Sequence, residues 1–531
     1  MLNIPERANR GPEPLSGPEP LPRQSAELIR IWNGLLLGAL MMLVAGCLLA
    51  FRIEQSPDLF ADEGLYTSTS NNLAAGRGLV ENSGRPFIWH PPFYIIVGAG
   101  FLHVNGLTDG DPIKQILAMR AISVLAATLT VGLVFALGWR LHGIVTGAAA
   151  ALLFTFDPYI QRINRRSMLE PLATALALLA ITLYACSMER RRWVGLAVGS
   201  GVVFGLAGLT KEFLLVGPVV ILAFAILFRQ EQLGRASVIV FSCALVYACY
   251  PLWIIGNGLW VEYAGMKATQ LYRMASRLIG APPVRTSSTV TGPGLLENLV
   301  MTAEPYVWSY ALIALGGLLI ARICWGLRPG SGWHPSPLLL ALALWAACNY
   351  VLVTVSLVFG RGSDQFFYYM IVPATLIVGW GLAVLLDRVR RQGTSLRSRA
   401  VAVVAALLLC AASVYNVNTY VRLFAVARDD SYVQLASHIR STIPPGSTLV
   451  FGNDLANYIF PEYDVRFDRR PTDIEDRGTR YVVLSTKERW GGYNKVTPEF
   501  YDWVTRNGEP QFVYQGPTFW TTTLFELRST E

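Results

Sequence analysis

Long apolar runs separated by short polar breaks fill most of the chain, at residues 29–51, 116–139, 143–157, 171–187, 194–209, 213–228, 236–256, 303–322, 337–358, 366–386 and 400–420. A helix needs about 20 apolar residues to cross a hydrocarbon core of roughly 30 Å. The runs therefore predict about eleven transmembrane helices, several of them short. A further apolar stretch from His90 to His103 is shorter still and opens with Pro91 and Pro92, so it reads as an interfacial helix. The first run follows a long polar leader and exceeds a signal-peptide core, which makes it a retained membrane helix.

Beyond about residue 425 the pattern changes. A helix is predicted at Tyr432–Ser441, followed by strand-like runs at Thr448–Phe451, Tyr481–Leu484, Phe512–Tyr514 and Thr522–Leu527, together a small α/β domain. At the other end, Gly-Pro-Glu-Pro-Leu occurs twice, at Gly11–Leu15 and Gly17–Leu21, and proline this dense sustains neither a helix nor a core. The expected organisation is a disordered leader over 1–28, a membrane-embedded catalytic domain over 29–425 and a soluble domain over 426–531.

Composition agrees with the pattern: 53% of residues are hydrophobic and 15% charged, against about a quarter charged in soluble domains. The net charge of +8 does not point to nucleic acid, because the arginines lie in short clusters between apolar runs, as positive-inside loops do. With eleven spans and a cytoplasmic N-terminus, Arg190–Arg192, Arg229 with Arg235, and Arg388 through Arg399 all face the cytoplasm. A twelfth span would turn these clusters outward. The same parity places residues 52–115, 161–170, 257–303 and everything after 420 outside. All seven cysteines lie in or beside apolar segments, with no disulfide framework or CxxC metal site.

Acidic and basic candidates gather on the outer side. Asp62 and Glu63 open the first external loop, where a carboxylate could take a proton from an attacking hydroxyl; the competing reading makes Asp62 the N-cap of a helix running through Leu73. Glu170 follows Arg162, Arg165 and Arg166, a combination that suits phosphate recognition, although taken alone the plainer reading wins, a helix-start Glu flanked by snorkelling arginines. Lys211 turns a hairpin of two short apolar helices, positioned either to neutralise a lipid phosphate or to snorkel. His90, in Trp89-His90-Pro91-Pro92, fits substrate binding, metal coordination or an interfacial position, and one histidine alone is weak evidence for metal. No Gly-rich phosphate loop or nucleophile elbow is present in the C-terminal region.

Asp62-Glu63-Gly64-Leu65-Tyr66, His90-Pro91-Pro92, Arg166-Ser167-Met168-Leu169-Glu170-Pro171 and Thr210-Lys211, in this order and on this topology, resemble the GT-C glycosyltransferases. The resemblance covers roughly Ile29 to Tyr420 and is greatest to the branch containing protein O-mannosyltransferases and the aminoarabinose transferases that modify lipid A. It implies that Asp62 matches the catalytic acidic residue of the first external loop, with Glu63 beside it, and Glu170 the acidic residue of the second. Lys211 matches the lysine of the Thr-Lys turn and His90 a basic position before Pro-Pro. Gln365 to Pro373 resembles the aromatic-Pro start of a late helix, where many relatives carry an arginine that Arg361 could replace.

The expected activity is transfer of a sugar from a polyprenyl-phosphate donor to a hydroxyl of a protein, lipid or polysaccharide acceptor on the extracytoplasmic face. Asp62 would act as general base, Lys211, Arg165, Arg166 and His90 would hold the phosphate, and the anomeric centre would invert. No obligatory cofactor or metal is expected for a monophosphate donor, a divalent cation being left open. Membrane lipids and the lipid-linked donor are the expected partners, the bacterial inner membrane the expected location. The rival class is a transporter or flippase of lipid-linked saccharides, disfavoured because no inverted repeat is visible and the candidates avoid the bilayer midplane.

Overall fold

The computed structural model describes residues 23–190, 192–278, 295–326, 335–359, 364–392, 396–467, 470–475, 479–486, 496–517 and 521–528. The predicted disordered leader falls outside these residues through position 22, and so does Arg361.

All eleven apolar runs fold as helices. In chain order the helices are α1 (Arg23–Ala50), α2 (Ala61–Ala74), α3 (Phe93–Val104), α4 (Pro112–His142), α5 (Ile144–Thr155), α6 (Pro158–Asn164), α7 (Leu169–Glu189), α8 (Val194–Thr210), α9 (Val216–Phe228), α10 (Leu233–Gly256), α11 (Trp260–Leu278), α12 (Leu295–Gly326), α13 (Pro337–Phe359), α14 (Tyr368–Gln392) and α15 (Leu396–Tyr420). Among the described residues seven are long and apolar enough to cross a bilayer, or eight if α5 and α6, bent by 67°, make one broken span. The remaining apolar helices include α3, α8 and α9, which are shorter. The bend has a local cause: Asp157 caps α6 by accepting from Ile160 N at 2.9 Å, and Pro158 occupies its first position, so the helix restarts rather than continues.

The bundle core is built on α4 and α7. Their facing side chains, among them Met119, Val134, Leu169 and Leu178, are inaccessible or nearly so and join one cluster with Tyr94, Phe204 and Ile371. Gly138 in α4 lets α5 approach closely: a Cβ there would stand 2.8 Å from the Gly147 Cα.

The C-terminal region contains α16 (Ser431–Thr442), β1 (Thr448–Phe451), α17 (Ala456–Ile459), β2 (Asp464–Arg466), α18 (Pro471–Glu475), β3 (Tyr481–Ser485), α19 (Pro498–Asn507), β4 (Gly508–Gln515) and β5 (Thr521–Leu527). Its sheet has the order β2-β1-β3-β5-β4, parallel across the first three strands and antiparallel after that. The predicted helix and four strands are present within a few residues. β2 and α19 were not anticipated, β2 because Asp-Val-Arg is too short and polar to read as a strand.

This domain shares a core with the membrane part. Leu59, Ile113 and Ile116 pack in one buried cluster with Leu435, Ile439, Leu455, Tyr458 and Phe460. Asp429 N donates to Gln55 O at 2.8 Å, and Ser56 Oγ to Leu423 O at 2.7 Å. The domain therefore sits over the N-terminal ends of α2 and α4. The basic residues Arg140, His142, Arg190 and Arg192 lie at and just beyond the other ends of α4 and α7.

Candidate functional site

The paired carboxylates of α2 part at once. Glu63, inaccessible to solvent, receives Arg120 Nε at 2.9 Å and Nη2 at 3.0 Å, Ser167 N at 2.8 Å and Phe60 N at 3.0 Å. It is Glu63, not Asp62, that reaches back to the residue before the helix. Every acceptor site on Glu63 is directed at a donor, so its expected catalytic place gives way to a structural one, in which it ties α2, α4 and the start of α7 together. Asp62, one residue earlier, turns to the opposite side, accepts from Gln365 Nε2 at 2.8 Å and lines a cavity of about 570 Å³.

That cavity lies between the membrane part and the C-terminal domain. Ala61, Asp62, Leu65 and Tyr66 of α2 form one wall, the segment carrying Glu81, Asn82, Arg85, Trp89 and His90 a second, and Asp454, Asn457 and Tyr458 a third. Tyr66 is buried, its ring 6.1 Å from that of His90. Burial and the carboxylates of Asp62 and Glu170 hold its phenol well above the ordinary pKa, so the hydroxyl stays a proton donor. Asp62 and Glu170 therefore both lie within electrostatic reach of this phenol.

Glu170 opens α7, 1% exposed. Its Oε1 accepts from Lys211 Nζ at 3.1 Å, while Oε2 is buried without a hydrogen-bond partner. Lys211 occupies the turn between α8 and the 3₁₀ segment Glu212–Leu215 because its extended backbone (φ −148°) ends α8. The neighbouring Glu212 accepts from Tyr247 Oη and Tyr263 Oη, each at 3.2 Å, and pairs with Lys267 of α11. Desolvation, then the charges of Lys211 and Lys267, hold His90 well below the usual imidazole pKa, which makes it neutral at pH 7. His90 thus lies near two ion pairs, Lys211–Glu170 and Lys267–Glu212. Lys267 was not singled out from the sequence; its spacing of four from Tyr263 on an amphipathic helix, one turn apart on one face, was the available signal.

The arginine pair does not join Lys211 and His90 as expected. Arg165 directs its guanidinium at the end of α1, donating to the carbonyls of Leu48, Leu49, Phe51 and Ser56 at 2.6–3.2 Å. All five of its N–H groups are engaged in capping those carbonyls, and it is completely buried, so the phosphate role expected of it is corrected to a helix-capping one. Arg166 lies over the Phe60 ring at 4.9 Å, and its Nη2 donates to Asp58 O at 3.4 Å; its Nε has no hydrogen-bond partner. Tyr369 of α14 lies close to Phe213, with ring centroids 4.8 Å apart, and its buried hydroxyl likewise has none. Among the described residues no group of three or more His, Cys, Asp or Glu has the arrangement of a metal site.

Residues 90–255 match the family model described as dolichyl-phosphate-mannose-protein mannosyltransferase. ArnT from Cupriavidus metallidurans bound to undecaprenyl phosphate is similar in structure, with a TM-score of 0.52 and 14% identity, over 96% of this chain and 99% of that one. The oligosaccharyltransferase AglB from Archaeoglobus fulgidus, in complex with an inhibitory peptide and a dolichol-phosphate, gives 0.54 and 12% over 93% of this chain and 74% of that one. The oligosaccharyltransferase of the same organism tethered with an acceptor peptide gives 0.55 and 13% over 87% and 70%. No curated protein sequence matches the chain significantly. The chain has the polytopic GT-C fold with a small sheet domain at its C-terminus.

Proposed function

We propose that the protein is a membrane glycosyltransferase that moves a sugar from a polyprenyl-phosphate donor to an acceptor hydroxyl, with Asp62 as general base. The observation that carries this reading is the shared cavity lining of Asp62, Tyr66 and His90, with the Glu170–Lys211 ion pair within electrostatic reach of it. Polyprenyl phosphates bound to the structurally similar proteins support the donor class.

The donor's phosphate would lie against Lys211, Lys267 and His90. Its arrival brings negative charge that favours a protonated imidazole, so His90 can contribute a cation once the donor is bound. The acceptor oxygen attacks the anomeric carbon while its proton passes to Asp62. The bond from that carbon to the phosphate oxygen breaks, and polyprenyl phosphate leaves as a stable anion. One displacement inverts the anomeric centre. Gln365 holds Asp62 in place, and Glu170 fixes Lys211 at a cost in free positive charge. Phosphate neutralisation by side chains makes a metal unnecessary. The arginine-bearing ends of α4 and α7 lie away from the cavity, which favours a cytoplasmic N-terminus and an extracytoplasmic site.

The test is release of polyprenyl phosphate by purified protein, supplied with a panel of polyprenyl-phosphate sugars and an envelope extract as acceptor. Asp62→Asn is expected to lower release by at least about a thousandfold, within the span of general-base effects, while the donor still binds. Full release by that variant would remove Asp62 from the mechanism.

A further inference from the structure

The cavity beside Asp62 is deeper and more particular than a base alone requires. Its lining brings three carboxylates, of Asp62, Glu81 and Asp454, to one cavity with Arg85. A phosphorylated or carboxylated acceptor would have to lie against those carboxylates, whereas an uncharged polyol can hydrogen-bond to them. Hydroxyl-rich ligands are matched by carboxylate and amide side chains, which accept and donate in pairs, and the third wall supplies Asp454 and Asn457.

Trp89 supplies the other half of saccharide recognition. Trp89 is 49% exposed and lines the cavity, and its Nε1–H donates to Glu81 Oε1 at 2.6 Å, which fixes the ring's orientation. The segment beneath it is also fixed: Asn72 Nδ2 donates to the carbonyls of Val80 and Glu81 at 3.0 and 3.2 Å, and Val80 pairs with Pro86. Gly78 and Gly84 take positive φ (+88° and +78°) to make its turns. Asn82 Nδ2 reaches across to Asn457 O at 2.9 Å and joins this wall to the C-terminal domain. An apolar ring face held rigidly beside carboxylates suits the C–H face of a pyranose, with little ordering entropy left to lose on binding.

We infer that this cavity is an acceptor subsite for an uncharged saccharide, stacked on Trp89 with one hydroxyl directed to Asp62. The inference rests on the transferase reading above but makes its own claim, that the acceptor is a neutral glycan.

Binding in the absence of donor separates the two. Full-length protein in detergent is titrated with neutral hexasaccharides (mannohexaose, maltohexaose, cellohexaose), an acidic hexagalacturonate and a Ser/Thr-containing peptide, with saturation-transfer NMR as the readout. At least one neutral hexasaccharide is expected to bind wild type. Trp89→Ala should weaken that binding about tenfold, and Trp89→Phe, which keeps an aromatic face, by no more than about threefold. Hexagalacturonate should bind at least about tenfold more weakly. Monodispersity and thermal unfolding confirm that each variant is folded.

Absence of binding by every neutral hexasaccharide overturns the inference, as does unchanged affinity in folded Trp89→Ala, a result that would leave Trp89 as an interfacial anchor. Preferential binding of the acid, or of the peptide through Trp89, also overturns it. Saccharide binding without any donor-dependent release would sink the transferase reading and leave the subsite standing.

Discussion

Two adjacent carboxylates should fail in opposite ways when each loses its charge. Glu63→Gln keeps the shape of the side chain, but its amide offers one acceptor oxygen where the carboxylate receives four donors: two from Arg120 and one each from Ser167 N and Phe60 N. Whichever way the amide turns, its NH₂ faces donors. Arg120, completely buried, keeps Ile53 O at 2.7 Å and one amide oxygen as acceptors but loses its countercharge. An unpaired buried charge costs about 3–5 kcal/mol, and donor-against-donor contacts add to it. We therefore expect Glu63→Gln to lower the unfolding free energy, followed by SDS titration in mixed micelles, by at least about 3 kcal/mol. The fraction that stays folded should retain donor affinity. Asp62→Asn, whose amide oxygen can still accept from Gln365 Nε2 at the cavity wall, should change stability less than Glu63→Gln does and abolish polyprenyl phosphate release. The reasoning is refuted if Glu63→Gln is as stable as wild type, or if it loses turnover while fully stable, since the second result would return Glu63 to the chemistry.

Arg165→Ala should remove on the order of 3 kcal/mol of stability by stripping the caps from the end of α1, yet leave the polyprenyl phosphate dissociation constant within about twofold, the reverse of what a phosphate ligand would show. Asp58, at the seam with the C-terminal domain, accepts from Tyr432 N at 3.2 Å and from Ser431, and burial together with the Asp429 carboxylate raises its pKa to about 7. Because the folded state then binds the proton more tightly than the unfolded one, its contribution to stability is greatest below the ordinary carboxyl pKa. That contribution declines as the pH rises through about 7 and is level above it. Asp58→Asn, whose amide can accept from Tyr432 N and donate to the Ser431 hydroxyl, should flatten this slope and raise the thermal midpoint at pH 8. An unchanged pH profile in a folded variant would discount Asp58 as its source.

Much of this was legible in the sequence, for identifiable reasons. Apolar run length is set directly by bilayer thickness, so every predicted run became a helix, although α8 and α9 fall short of a full crossing. The positions of Asp62, His90, Glu170 and Lys211 were readable because each stands at a polarity break at one end of the bundle. What could not be read was direction. Adjacent positions on a helix point about 100° apart, and only the tertiary fold decides that Asp62 meets the cavity while Glu63 meets Arg120. Arg165 misled for a related reason: a cation beside a helix mouth looks the same in sequence whether it faces a phosphate or the carbonyls of another helix. Lys267 and Trp89 were overlooked because their partners, Glu212 and Glu81, lie elsewhere along the chain and nothing local marks the pairing.

The cavity wall joins residues from the first external segment with Asp454, Asn457 and Tyr458. During synthesis His90, Lys211 and Lys267 are all made nearly two hundred residues before Asp454 of the last wall. On the proposed function, a nascent chain could hold a lipid-linked donor before it has a complete wall to lay an acceptor against, so premature transfer would be disfavoured until the C-terminal domain has folded and docked. The same partition would let acceptor preference drift through changes in the domain's Asp454–Tyr458 edge while the proposed donor-holding residues, all earlier in the chain, are left untouched.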